Sequence, residues 1–145
     1  MTKYDEIVRA VDTFSRERHQ YVDRCFDAMT KLLVGFRNYL EAPVNEVTYF
    51  AHGTPEDESA GPAAAVQNSY SDGWWDAHVA LSFGPQLSIN FRFRLRGEAG
   101  KFVVRVGDSV RLHEFITPTP EEMAPIWEEA AQRSIGTLST GLERF

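Results

Sequence analysis

The feature that most restricts this chain is an alternation of apolar and polar side chains between Trp74 and Val106. Trp75, Ala77, Val79, Leu81 and Phe83 alternate with Asp76, His78, Ala80 and Ser82. Leu87, Ile89, Phe91, Phe93 and Leu95 alternate with Ser88, Asn90, Arg92, Arg94 and Arg96. Phe102, Val104 and Val106 continue the pattern, followed by Val110, Leu112 and Ile116. A period of two is the mark of a strand with one face buried. Gly84-Pro85, Gly97 to Gly100 and Gly107-Asp108 punctuate the runs as turns. Such runs, joined by short turns, predict an antiparallel meander with one greasy and one polar face.

A one-sided sheet needs a cover, and the two ends of the chain supply it. Tyr4, Ile7, Val8, Val11, Phe14, Val22, Cys25, Phe26, Met29, Leu32, Leu33, Phe36 and Leu40 recur at steps of three and four. That is the period of an amphipathic helix. Thr2 is its expected N-cap, with Asp5 three residues on. Pro43 ends it, because the residue before a proline is driven out of helical space. Gly35 costs the helix about 1 kcal/mol against alanine. At the other end, Thr119-Pro120-Glu121-Glu122 combines a cap, a proline at the first helical position and a capping-box acid. A second stripe then runs through Met123, Trp127, Ala131, Ile135, Leu138, Leu142 and Phe145.

Residues 44–51 read as a first strand, and residues 52–73 as a long acidic loop rich in Gly, Pro, Ala and Ser. Within it, Thr54 to Asp57 and Ala63 to Gln67 could each form a short element. The loop is either plain surface or a lid over a binding site. The elements sum to an α+β two-layer sandwich, a meander of about five strands with both helices on one face, in the order α-β-β-β-β-β-α. Residues 1–145 make a single domain. With 43% hydrophobic residues, among them ten Phe, five Tyr and three Trp, it can bury a core without metal or disulfide.

The N-terminal helix is too long for this sheet. Forty helical residues span about 60 Å, whereas five strands make a layer roughly 24 Å wide and 30 Å long. Ser15 to Gln20 is wholly polar, with Arg18 where the stripe should continue. Either the helix bends there or its first half leaves the core. The apolar residues from Tyr4 to Phe14 then need a partner, and a homodimer through this segment is the expectation.

The net charge of −6 argues against a nucleic-acid partner. The charge is unevenly spread. Residues 43–85 carry six acids and no Lys or Arg, while residues 86–116 carry six bases against three acids. The cationic third is thus the part that reads as strands. Opposing greasy residues across each turn pairs Phe83 with Leu87, Leu95 with Phe102 and Val106 with Val110. His78 then faces Arg92, Arg92 faces Arg105, and Arg105 faces Arg111. A second row reads Asp76, Arg94, Val103 and His113, and a third Trp74, Arg96, Lys101 and Phe115. Like charges directly opposed destabilise a sheet by up to about 1 kcal/mol per pair, so the guanidiniums need an anion. Three are open: internal acids (Asp76, with Glu56, Asp57 and Glu58 of the loop), an acidic protein or sister subunit, or a phosphate-type ligand. Trp74 falls on the same face, exposed, as a candidate binding anchor.

Catalytic signatures are missing. There is no G-x-S-x-G, no G-x-G-x-x-G and no Walker A sequence. His52, His78 and His113 lack the spacing of a metal site, so no metal or cofactor is expected. The lone Cys25 lies on the helical stripe and reads as a small core residue. Acids in the N-terminal MTKYDEIVRA exclude a signal-peptide reading, and no apolar run reaches the ~18 residues of a membrane span; a cytoplasmic location is expected. The outline of a long helix followed by a meander is similar to cystatin-like and several chaperone-like domains, a likeness of shape that carries no residue across. The expected function is a non-catalytic adaptor or chaperone-type module that holds an acidic or other anionic partner through Arg92, Arg94, Arg96, Arg105, Arg111, His78, His113 and Trp74. The alternative is a phosphate- or nucleotide-type small-molecule binder or small enzyme, with residues 52–73 as lid.

Overall fold

Helix α1 runs unbroken from Lys3 to Leu40, straight on through the residues of the polar stretch without a break in its hydrogen-bonded span. The computed structural model describes residues 2–43, 46–51, 53, 61–68, 73–83 and 87–143. Thr2 caps α1 as the sequence requires: its hydroxyl accepts from the Asp5 amide while the Asp5 carboxylate accepts from the Thr2 amide. Glu41, in the left-handed region at φ 54°, closes the other end. After α1 come β1 (Val47–Phe50), α2 (Pro62–Ala65), β2 (Gln67–Asn68), β3 (Trp75–Ser82), β4 (Ser88–Glu98), β5 (Lys101–Val106), β6 (His113–Phe115) and α3 (Pro120–Glu143). The strands form one antiparallel sheet in the order β1-β3-β4-β5-β6, with β2 also paired to β3. Both long helices lie on one face, giving the α+β two-layer sandwich.

Within the long acidic loop, the short element expected at Ala63 to Gln67 is present, in two pieces. Residues 62–65 form a helical turn, and Gln67 and Asn68 pair with Asp76 and Trp75. The proposed turn at Thr54 to Asp57 lies outside the described residues, as do Val44 and Gly84-Pro85.

Only the second half of α1 belongs to the core. Cys25, Ala28, Met29, Leu32, Leu33 and Phe36 are fully buried, whereas every residue from Thr2 to Gln20 is exposed. The helix therefore leaves the domain as an arm. Phe36 anchors the buried half, meeting Phe91 and Phe93 edge-on at 5.4 and 5.5 Å. Trp127 of α3 crosses α1 at Gly35. Its indole N–H donates to the Leu32 carbonyl at 3.0 Å, and a Cβ on Gly35 would stand 2.3 Å from the Trp127 ring. The glycine that weakens the helix is what lets the two helices meet. A similar approach joins α1 to the sheet, where the Tyr21 hydroxyl sits against the backbone of Gly97.

The buried line on α3 differs from the expected stripe. It runs through Met123, Ile126, Trp127, Ala130 and Ser134, while Ile135 is exposed. After Trp127 the inward residues are small, Ala130 and Ser134, and the Ser134 hydroxyl is satisfied by the Ala130 carbonyl, so burying a serine costs little.

Two registers also differ. The β3–β4 hairpin is as expected, with His78 opposite Arg92 and Asp76 opposite Arg94. The β4–β5 hairpin is shifted by two residues: Arg94 opposes Arg105, Arg96 opposes Val103 and Glu98 opposes Lys101. The cause is a tighter turn. Only Ala99 and Gly100 lie in the loop, both left-handed at φ 50° and 81°, the geometry of a two-residue hairpin turn. A shift of two keeps every side chain on its face. The β5–β6 register is shifted by one, which does not: Val104 opposes His113, Val103 opposes Glu114 and Phe102 opposes Phe115. His113 and Phe115 therefore point into the core, Phe115 stacking on Phe102 at 5.1 Å. Val110, Leu112 and Ile116 are exposed instead.

Replacing Gly35 by alanine should lower stability by about 1–3 kcal/mol through overpacking, although alanine is the better helix former; urea denaturation reads the sign. Ala99→Asn should do the opposite, raising stability by up to about 1 kcal/mol because asparagine tolerates the left-handed region, visible as a higher melting temperature.

Candidate functional site: the arginine face

Strand alternation places Asp76 and His78 of β3, Arg92, Arg94, Arg96 and Glu98 of β4, Lys101 and Arg105 of β5, and Glu114 of β6 on the face away from the helices. Among these described residues five bases meet three acids. Arg94 Nε donates to Asp76 Oδ1 at 3.1 Å, and Arg92 Nε lies 3.6 Å from the same oxygen. One buried carboxylate thus serves two guanidiniums. Arg96 pairs with Glu98 at 3.0 Å and Lys101 with Glu114 at 2.9 Å. Among the described residues no carboxylate pairs with Arg105, and its Nε is buried without a hydrogen-bond partner.

Trp74 takes the place of the missing acid. The guanidinium carbons of Arg94, Arg96 and Arg105 lie 5.2, 4.7 and 5.9 Å from its ring. The ring leaves only 9% of its residue area exposed, so the anchor expected at the surface is instead a floor beneath three arginines. Each such contact contributes about 0.5–2 kcal/mol. Unlike a carboxylate, the ring holds a guanidinium without cancelling its charge.

His78 stays on this face and stacks on Phe50 at 5.1 Å. Two expected members are elsewhere. Arg111 is exposed in the connection between β5 and β6, not opposite Arg105. His113 is buried on the opposite side of the sheet from His78, so the two do not converge, and His52, Glu56, Asp57 and Glu58 lie outside the described residues. Among the described residues no three His, Cys, Asp or Glu side chains gather to hold a metal.

What draws His113 inward is Glu129 of α3. Its carboxylate accepts from His113 Nε2 and, at 2.6 Å, from the Ser109 hydroxyl, which in turn accepts from the Arg111 amide. Burial pushes the Glu129 carboxyl upward, but the Ser109 and His113 hydrogen bonds and the nearby Arg111 charge outweigh it, leaving it below the ordinary glutamate value. Strand alternation alone puts His113 on the polar face, because a partner sixteen positions away leaves no mark in the local pattern.

One contributor escaped the sequence reading. Arg133 of α3 joins His78, Asn90, Arg92, Gly107 and Asp108 around a cleft of about 440 Å³ where β5 ends. Arg133 lies on the exposed side of its helix, and helical period carries no signal for such a residue. No protein-family model, curated protein or solved structure matches the chain.

Because the Glu129 carboxyl is depressed in the folded state, its contribution is fully present above the ordinary value of 4.5 and is lost as pH falls through the folded value. Glu129→Gln should therefore be less stable than the parent at neutral pH, by about 1–3 kcal/mol. The gap should close in acid, as followed by denaturant melts across pH.

Proposed function

We propose that this chain is a non-catalytic binding module of adaptor or chaperone type, which presents its arginine face to an acidic protein or other anionic partner and self-associates through residues 4–14. The observation that carries this is Arg105. It is held over Trp74 beside Arg94 and Arg96, and no described carboxylate neutralises it. Sheet pairing sets Arg94 and Arg105 directly opposite each other, a repulsive arrangement that an incoming carboxylate relieves. Arginine is suited to this, since its planar fork takes a carboxylate bidentately.

A labelled decaglutamate peptide should bind at low salt and be released as salt rises. Arg105→Ala should weaken that binding severalfold without unfolding the domain. Absence of binding at low salt, or binding indifferent to both Arg105→Ala and Arg96→Ala, sinks the reading. A second reading rests on the cleft between Arg92 and Arg133, whose two guanidiniums suit a small phosphate-bearing molecule. Stabilisation by pyrophosphate that is lost in Arg133→Ala, with no peptide binding, would favour that one; at 100 times its dissociation constant a ligand adds about 2.7 kcal/mol.

A further inference from the structure

We infer that the exposed arms of two copies pair antiparallel, as a short two-helix zipper with its dyad at the level of Arg9. This rests on the self-association proposed above and adds the geometry of the partner. The arm exposes Tyr4 by 73%, Ile7 by 60%, Val11 by 55% and Phe14 by 62%. Their spacing of three, four and three is the alternating seam by which two helices interlock. Seven-residue steps from Val11 lead through Arg18 to Cys25, which packs on the sheet. The seam is therefore continuous with the core-facing side of α1, and the partner helix takes the place of the sheet beyond its end.

Orientation follows from what each choice opposes. In a parallel, in-register pair Arg18 meets the partner's Arg18 on the seam, and Lys3 flanks the partner's Val8. In the antiparallel pair Tyr4 layers on the partner's Phe14 and Ile7 on the partner's Val11, each twice by symmetry. On one flank Val8 meets the partner's Val8. On the other Ala10 meets the partner's Ala10, and Lys3 meets the partner's Glu17 at both ends. Within its own chain Lys3 pairs with Glu6 at 3.0 Å, while Glu17 has no ion-pair partner among the described residues.

Length agrees. In this register the partner's Thr2 is level with Arg16. The arm first shares a cleft with the domain at Arg18 and His19, which face Val66, Asn68 and Trp75, two residues or about 3 Å farther on. The partner's helix thus ends short of the domain. The polar stretch from Ser15 to Gln20 then has a reason: it lies beyond the partner's last seam residue, and it carries the helix across to the rim of the domain.

The test is oxidative cross-linking of full-chain variants that each carry one introduced cysteine, with sedimentation of the unmodified protein alongside. Cys25 is fully buried and stays out of the reaction. Ala10→Cys, next to its own symmetry mate across the dyad, should form a disulfide-linked dimer. Val11→Cys, which faces the partner's Ile7 instead, should not. Lys3→Glu should raise the dimer dissociation constant roughly tenfold, since both end pairs become repulsive, and Lys3→Glu with Glu17→Lys should restore it. Faster cross-linking through Val11→Cys, or no rescue by the double exchange, overturns the antiparallel register while leaving self-association standing. A monomer up to the solubility limit overturns both, and points to a different protein as the occupant of the arm. None of these outcomes bears on peptide binding at Arg105.

Discussion

Burial of Trp75, Val79, Leu81, Phe93, Leu95 and Val104 beneath α1 and α3 decides where every intervening side chain must go. A strand cannot turn one residue without turning its neighbours. Once the phenylalanines of β4 are driven under Phe36, the arginines between them are forced together on the other side, whatever their mutual repulsion. The stabilising work is apolar, and the cationic face is its by-product in geometry. It persists because Asp76, Glu98 and Trp74 each take up part of the strain.

The second constraint is length. A continuous helix of 38 residues spans about 57 Å, more than the sheet beneath it can cover, and the chain does not fold back. The arm and the arginine face are accordingly separate consequences of one architecture. The first is the excess of a helix over its sheet, the second the unburied side of that sheet. Gly35 lets Trp127 of α3 close on α1, and Gly97 of the sheet lets Tyr21 of α1 close on it.

How much was legible in the residues follows the same physics. Faces were legible wherever apolar residues alternated without interruption, so the arginines of β4 and Arg105 of β5 were assigned to the correct side. Registers were legible only where the turn was. The β3–β4 pairing was fixed by Phe83 and Leu87, but Gly97 to Gly100 suggested a wider loop than the two-residue turn at Ala99 and Gly100. Beyond Gly107 the signal reversed. Val110, Leu112 and Ile116 looked like the buried set, yet the inward residues are His113 and Phe115, because Glu129 on a distant helix satisfies the imidazole. Local pattern cannot price a polar residue whose partner comes from elsewhere in the fold. The burial of Trp74 was hidden for a related reason, since three cations lie against its ring.

The seating of Arg94, Arg96 and Arg105 on Trp74 carries an optical and an acid–base corollary. An indole has no proton to exchange in the range where carboxylates do, so acidification that would free an arginine from an aspartate leaves this platform as it was. The same ring emits in the near ultraviolet, and any anion that lifts the guanidiniums from it changes the field around the chromophore, so the floor of the site doubles as its own gauge of occupancy.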